Sequence, residues 1–253
     1  MNKNKFLSVL GGVALLAVAN SAFALNALQL GPGDEGTWTY SGGTPDTWVV
    51  SGSGAFTLNA YANCDGSVLG NLCNGSYAWD DGNTDRYAYL VASALPQTQS
   101  AVMFPMSITN DGGSLTMVES GYGTPSLTST DSNEDLPGHG IYPTYFQIFE
   151  FQFDGGLGPI SDTQPGETGT GQGYTEEFSI ALGDLVGIDG IHFDLFTVEG
   201  GRYTQGAINN IFARAPNSHD AEACCTTSVP EPATALLLGL GLIGMARARK
   251  HVV

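Results

Sequence analysis

Lysine is missing from the whole central part of this chain, between Lys5 and Lys250. Residues 25–228 carry 24 of the 25 acidic residues of the chain and only three basic ones, which are Arg86, Arg202 and Arg214. So few cations cannot neutralise a phosphate backbone or anionic lipid headgroups, and we expect no nucleic-acid partner. The excess of carboxylates favours solubility and mutual repulsion between chains.

Sequence motifs of known catalytic sites are also missing. The chain has no HExxH zinc motif, no G-x-S-x-G nucleophile elbow and no glycine loop that opens a helix to hold phosphate. We therefore expect that the protein is not an enzyme and has no catalytic residue. A secreted hydrolase stays an alternative, because two carboxylates on separate strands leave no pattern in the sequence.

Cysteine is scarce, with four residues in the chain. In an exported protein we expect such thiols to be oxidised. Cys64 and Cys73 bracket a short segment, and a disulfide between them is the preferred pairing. Cys224 and Cys225 are adjacent, so a strained vicinal disulfide, intermolecular links and pairing with the first two all remain open. Neither pair is followed by a second pair at zinc-site spacing, which argues against a structural zinc site of that kind.

The N-terminus has the three parts of a secretory signal peptide. Two lysines precede an apolar run over 6–19, and Ala22 and Ala24 then form a small-x-small cleavage site. The run is short for a permanent membrane helix. We predict a signal peptide over 1–24, cleaved after Ala24.

The C-terminus has a second three-part pattern. It starts with a stiff, extended segment made of Val229, Pro230, Glu231 and Pro232. An uncharged stretch over 233–246 follows, and this stretch must be helical if it enters lipid. A basic tail over 247–250 comes next, with Arg247, Arg249 and Lys250. At ~1.5 Å per residue the stretch spans only ~21 Å of a hydrocarbon core of ~30 Å, so length alone would favour a buried core helix. The basic tail favours a transmembrane helix instead. Its arginines can snorkel to the membrane surface, which reduces the difference between the length of the helix and the thickness of the hydrocarbon core.

This arrangement resembles the PEP-CTERM sorting signal of Gram-negative bacteria. The resemblance implies recognition by exosortase, a membrane-embedded cysteine protease or transpeptidase, and processing near Pro230, Glu231 and Pro232. With both cationic ends in the cytosol, residues 25–228 are an ectodomain. We expect transient attachment to the inner membrane, then delivery to the cell surface or extracellular matrix, with the sorting signal spanning 229–250.

Residues 25–228 have the pattern of an all-β domain. Apolar and polar residues alternate along 55–61, 86–93, 149–154 and 191–195, which predicts strands with one buried and one wet face. Residues 110–113 read as a hairpin turn. We predict an antiparallel β-sandwich, jelly-roll-like, with bulges or strand ends at 148–149 and 195–196. A mobile loop is expected over 161–173, and 175–186 is either helix or strand.

A second resemblance covers this domain. Residues 139–146, 190–195 and 217–221 are similar to the choice-of-anchor N family, which comprises exported bacterial proteins of unknown activity. The resemblance implies no catalytic residue.

Two acidic turns are the candidate calcium sites. Their oxygen-bearing side chains are Asp80, Asp81 and Asp85 in the first, and Asp131, Asn133 and Asp135 in the second. The second turn begins like an EF-hand, but Leu136 and Tyr142 stand where Gly and Glu are required. Both stretches are also explained as solvent-exposed turns without bound calcium, because Asp and Asn are common in turns. We expect no cofactor, with calcium as the alternative.

Three histidines complete the candidates. His139, His192 and His219 could converge with Asp194 or Asp220 on a metal or an acid–base pair, but their spacing matches no known metal motif. His192 lies on the polar phase of its strand, and we expect it at the surface, without a metal.

The function expected from these features is a non-catalytic structural or interaction role at the cell surface or in an exopolysaccharide matrix. A carbohydrate-binding module is the other alternative. That alternative requires exposed rings, and the candidates are Tyr61, Tyr77, Trp79, Tyr142 and Tyr145.

Overall fold

A computed structural model of the chain describes residues 25, 27–42, 46–52, 54–64, 87–95, 103–128, 141–153, 157–198, 202–216 and 219–224. The predicted signal peptide, the C-terminal sorting motif and both acidic turns lie outside these residues. The described part is all-β, as predicted, and contains no α-helix. It therefore includes no helix long and apolar enough to cross a membrane.

Fifteen strands make up the described part. In chain order they are β1 (Leu28–Pro32), β2 (Thr37–Gly42), β3 (Asp46–Ser51), β4 (Ala55–Asn63), β5 (Tyr87–Leu95), β6 (Met106–Asn110), β7 (Gly113–Ser114), β8 (Thr116–Gly123), β9 (Leu127–Thr128), β10 (Thr144–Gln152), β11 (Gly158–Ser161), β12 (Thr170–Leu182), β13 (Gly190–Val198), β14 (Asn209–Arg214) and β15 (Asp220–Cys224).

These strands form two sheets. The six-stranded sheet has the order β1-β4-β12-β6-β7, with β11 also paired to β12. The nine-stranded sheet has the order β2-β3-β15-β13-β5-β10-β8, with β14 on β13 and β9 on β14. The pairs β15·β3 and β14·β9 are parallel. The second sheet is therefore mixed, and the prediction of a purely antiparallel arrangement is wrong for it. The jelly-roll likeness stays a prediction.

The main core lies between the two sheets. Phe56 of the smaller sheet meets Phe193 of the larger one, with ring centroids 6.1 Å apart, and Phe178 meets Phe151 at 4.8 Å. All four rings are buried. Burying a side chain of this size contributes about 1.5–3 kcal/mol, so these contacts hold the sheets together.

A second apolar cluster covers the outer face of the nine-stranded sheet. Tyr89 and Phe196 project from this face and pack with Tyr142 and Tyr203 from segments folded over it, and with Ile211 of the neighbouring strand β14. Every residue of β13 is consequently buried. The expectation that alternating strands have one wet face is wrong for β5 and β13, because the covering segments are remote in sequence.

Several local predictions meet a clear outcome. The hairpin at 110–113 is confirmed, with β6 paired to β7 and the Asn110 Oδ1 accepting the Gly112 N–H at 3.1 Å. The shift at 148–149 is a register irregularity between β10 and β8, as predicted. The second shift, predicted at 195–196, is misplaced, because these residues continue as regular strand. The register irregularity lies between Thr197 and Val198.

The segment from 157 to 182 is more regular than expected. Residues 175–182 are strand, which settles the choice left open for that segment. The predicted loop over 161–173 is too long, because Ser161 pairs with Thr170 and Gly173 with Gly158. Only residues 162–169 form the connection between β11 and β12. The glycines within 171–173 therefore belong to the paired part of β12.

Candidate functional site

A row of polar side chains crosses the outer face of the nine-stranded sheet. His192 on β13 stands opposite Glu222 on β15 and opposite Ser93 on β5. Asp220 stands opposite Thr47 on β3. Because side chains two residues apart share a face, Asp194 lies on the same face as His192. Strand register alone therefore gathers these groups.

Three carboxylates surround the imidazole of His192. Its Nε2 lies 3.3 Å from Asp194 Oδ1 and 3.6 Å from Asp220 Oδ2, and its Nδ1 lies 3.3 Å from Glu222 Oε1. The ligand atoms of His192, Asp194 and Asp220 all lie within 4.8 Å of one another. All three residues are buried, with exposures of 5%, 2% and 1%. We call them the His192 triad.

The electrostatics of the triad follow from an excess of buried negative charge. Burial alone would lower the pKa of His192, but the charge of Asp194 and hydrogen bonds to Asp194 and Glu222 raise it well above its usual value. Burial raises the pKa of Asp220 well above its usual range, although His192 opposes this. Arg214 is the other cation acting on Asp220. His192 thus favours its protonated form and Asp220 its neutral form.

Tyr142 closes the site beside Ser93. Its hydroxyl lies 2.8 Å from Ser93 Oγ, and both residues are buried. Burial raises the pKa of Tyr142 well above its usual value, and the charges of Asp194 and Asp220 raise it further. The phenol therefore stays neutral.

A second cluster lies at the connection between β11 and β12. His219 Nε2 is 3.1 Å from Asp162 Oδ1, and Glu167 completes a group whose ligand atoms lie within 4.8 Å of each other. The Asp162 Oδ1 also accepts the N–H of Gln164. Burial lowers the pKa of His219, with Asp162 opposing the change. This histidine therefore favours its neutral form.

The structure brings together part of the histidine set considered from the sequence. His192 does meet Asp194 and Asp220, whereas His219 belongs to the second cluster and His139 lies outside the described residues. The expectation that His192 is at the surface is wrong, because segments over the outer face bury its polar phase. Glu222 was missed, although its alternation with Asp220 was a signal of a shared face.

The other predicted site residues are less informative. Tyr142 and Tyr145 are buried, so they are wrong as exposed sugar-stacking rings, and Tyr61 is only partly exposed. Cys64 is buried at the end of β4, and Cys224 ends β15. Several predicted site residues lie outside the described residues: the remaining cysteines and rings, the calcium candidates, the predicted cleavage site and the sorting residues. The disulfide pairing stays a prediction.

Comparison with known proteins gives one family match. The model of the PEP-CTERM protein-sorting motif matches residues 228–250. The chain carries a PEP-CTERM sorting motif. This confirms the resemblance of the C-terminus, while the likeness of residues 25–228 to the choice-of-anchor N family stays a prediction.

Two further comparisons add little about function. No curated protein matches the chain. One solved structure, titled "AvmM Catalyzes Macrocyclization in Alchivemycin A Biosynthesis", is 9% identical and covers 76% of this chain and 90% of that chain, with a TM-score of 0.33. A similarity at this level carries no argument about fold or activity.

Proposed function

We propose that this protein is exported, held briefly in the inner membrane by residues 233–246, cut by exosortase near Pro230–Pro232 and delivered to the cell surface or extracellular matrix. The single observation behind this proposal is the PEP-CTERM motif over 228–250. The acidic body supports it, because a strongly negative domain stays soluble and repels its own copies outside the cell.

The delivered domain has a structural or interaction role, without catalysis. Among the described residues, the most densely charged groups are the His192 triad and the Asp162 cluster. The triad is shut off from solvent, with exposures of 5% or less, and a substrate has no route to it in this conformation. Such buried polar groups fit a stabilising role better than turnover. Extracellular polysaccharide is the partner that a matrix location implies.

Processing can be tested with two variants of the full chain that carry the same epitope after Gly112. This residue lies in the exposed turn between β6 and β7. In one variant Pro230, Glu231 and Pro232 are all replaced by alanine. The control variant replaces Thr226 and Thr227, which precede the residues of the sorting motif.

Each variant is expressed in a host with exosortase and in the same host without it. Immunoblots of membrane and extracellular fractions should show a shortened extracellular form only for the control, and only where exosortase is present. The alanine variant should remain full-length in the membrane fraction. Equal release of both variants, or release without exosortase, would show that the motif does not direct processing.

A further inference from the structure

We propose that the His192 triad is a structural metal site, in which His192 Nε2 and the carboxylates of Asp194 and Asp220 bind one divalent transition-metal cation of the zinc class. This inference concerns the folded body and does not depend on how the chain is sorted. It rests on the geometry of three side chains from two neighbouring strands, which the register of β13 and β15 places together.

The distances are compatible with ligands of a common ion. At 3.3 Å the Nε2–Asp194 contact is also within hydrogen-bond range, although charge-assisted N–H···O hydrogen bonds are usually shorter, about 2.7–2.9 Å. The two Nε2–carboxylate distances are 3.3 and 3.6 Å. Two ligands that each lie about 2.1 Å from a metal, at angles of about 90–120°, are about 3.0–3.6 Å apart. The triad therefore matches the spacing of atoms that share a cation.

Glu222 supports the same assignment from the other side of the ring. Metal-bound histidines usually donate their second ring N–H to a carboxylate or carbonyl, which fixes the tautomer. His192 Nδ1 lies 3.3 Å from Glu222 Oε1. With the proton held on Nδ1, the lone pair of Nε2 is directed towards Asp194 and Asp220.

Thr47 is an independent observation beside the triad. It is 1% exposed, and its Oγ1 has no hydrogen-bond partner in the part of the chain that the structure describes. The register of β15 and β3 places it directly beside Asp220, on the same face. A buried hydroxyl without a partner costs about 1–3 kcal/mol. A metal or its bound water would supply the missing partner.

Charge balance is compatible with a divalent ion that displaces the proton from His192 Nε2. Three carboxylates meet one imidazole and Arg214 in a setting from which water is largely excluded. A neutral imidazole, Arg214 and one divalent cation neutralise the three carboxylates. The nitrogen ligand favours zinc-like ions over calcium, which prefers oxygen ligands alone. The triad supplies three of the four ligands of a tetrahedral zinc site, and its burial favours a structural role for the ion.

The test measures zinc bound to the purified full chain. After treatment with EDTA, the chain is incubated with Zn²⁺, dialysed and analysed by inductively coupled plasma mass spectrometry. We expect about one zinc per wild-type chain, as for a single structural site. Asp194→Asn should lose it, whereas Asp184→Asn, the same change at an exposed aspartate, should keep it. Zinc at the level of the buffer in the wild type, or equal zinc in both variants, would overturn the proposal.

Three further variants separate the triad from its neighbours. Glu222→Gln should retain the site but bind zinc about 10–100-fold more weakly, as expected for loss of an outer carboxylate. Loss of zinc in His219→Gln but not in His192→Gln would assign the ion to the Asp162 cluster and contradict the proposal.

A measurement on the wild-type chain covers the case in which triad variants do not fold. X-ray absorption at the zinc edge should show nitrogen and oxygen ligands at about 2.0–2.2 Å. Sulfur ligands at about 2.3 Å would place the ion on the cysteines and refute the triad site.

Discussion

Gly158 and Gly173 stand opposite each other in the β11·β12 pair, but only one of them has room for a side chain. A Cβ on Gly173 would overlap the carbonyl oxygen of Ala62, whereas one on Gly158 would meet nothing within 4 Å. Neither glycine has a positive φ. The difference is therefore purely steric, and it comes from the close approach of β12 to β4.

Gly173→Ala should destabilise the protein by about 1–3 kcal/mol, because the added methyl group forces the two strands apart. Gly158→Ala is the matched control and should change stability by no more than about 0.5 kcal/mol. Urea unfolding measures both. Equal midpoints for the two variants would show that the strands do not approach each other as described.

Phe193→Ala should cost about 3–5 kcal/mol, because the ring is fully buried between the two sheets and its removal leaves a cavity. Phe212→Ala removes the same ring from a position that is 39% exposed and should cost much less. Thermal unfolding of the two variants compares them. A similar loss at both positions would argue against a core between the sheets.

Tyr142→Phe should cost about 1–3 kcal/mol, because it leaves the buried Ser93 hydroxyl without the phenol that lies 2.8 Å away. Adding Ser93→Ala to this variant should recover part of the loss. A double-mutant cycle in urea gives the coupling free energy, and strictly additive effects would show that the two hydroxyls do not interact.

Alkali should destabilise the fold through Tyr89 and Tyr203. Burial raises the pKa of both phenols above the ordinary value of about 10, and Glu119 raises that of Tyr203 further. The unfolded chain therefore loses these protons first, and stability falls as pH rises above about 10.

Tyr203→Phe should reduce this alkaline loss, while the same change at the exposed Tyr122 should leave it unaltered. Urea unfolding at pH 8 and at pH 10.5 measures the difference. An identical pH dependence in the wild type and in Tyr203→Phe would contradict the burial of this phenol.

Local sequence signals predicted a large part of the fold. The period of two along β10 and β13 indicated strands, and the Asn-Asp-Gly-Gly segment indicated a hairpin, because both depend only on neighbouring residues. The covering of the outer face could not be predicted. It depends on Tyr142 and Tyr203, which lie outside these two strands and fold over β5 and β13.

The candidate site was likewise predicted only in part from local sequence. Alternation placed His192 and Asp194 on one face, as the structure confirms, whereas Glu222 was not predicted. The contact of His192 and Asp194 with Asp220 and Glu222 depends on the register of β13 with β15, which is set by packing rather than by local pattern. The parallel pairing of β15 with β3, which adds Thr47, has no local signal either.

The most direct test of the account is mass spectrometry of both termini of the protein recovered from outside the cell. Cleavage after Ala24 and processing near Pro230–Pro232 predict a chain that begins at Leu25 and ends at or close to those prolines. A cytosolic chain that still starts at Met1 and ends at Val253 would contradict export and sorting together.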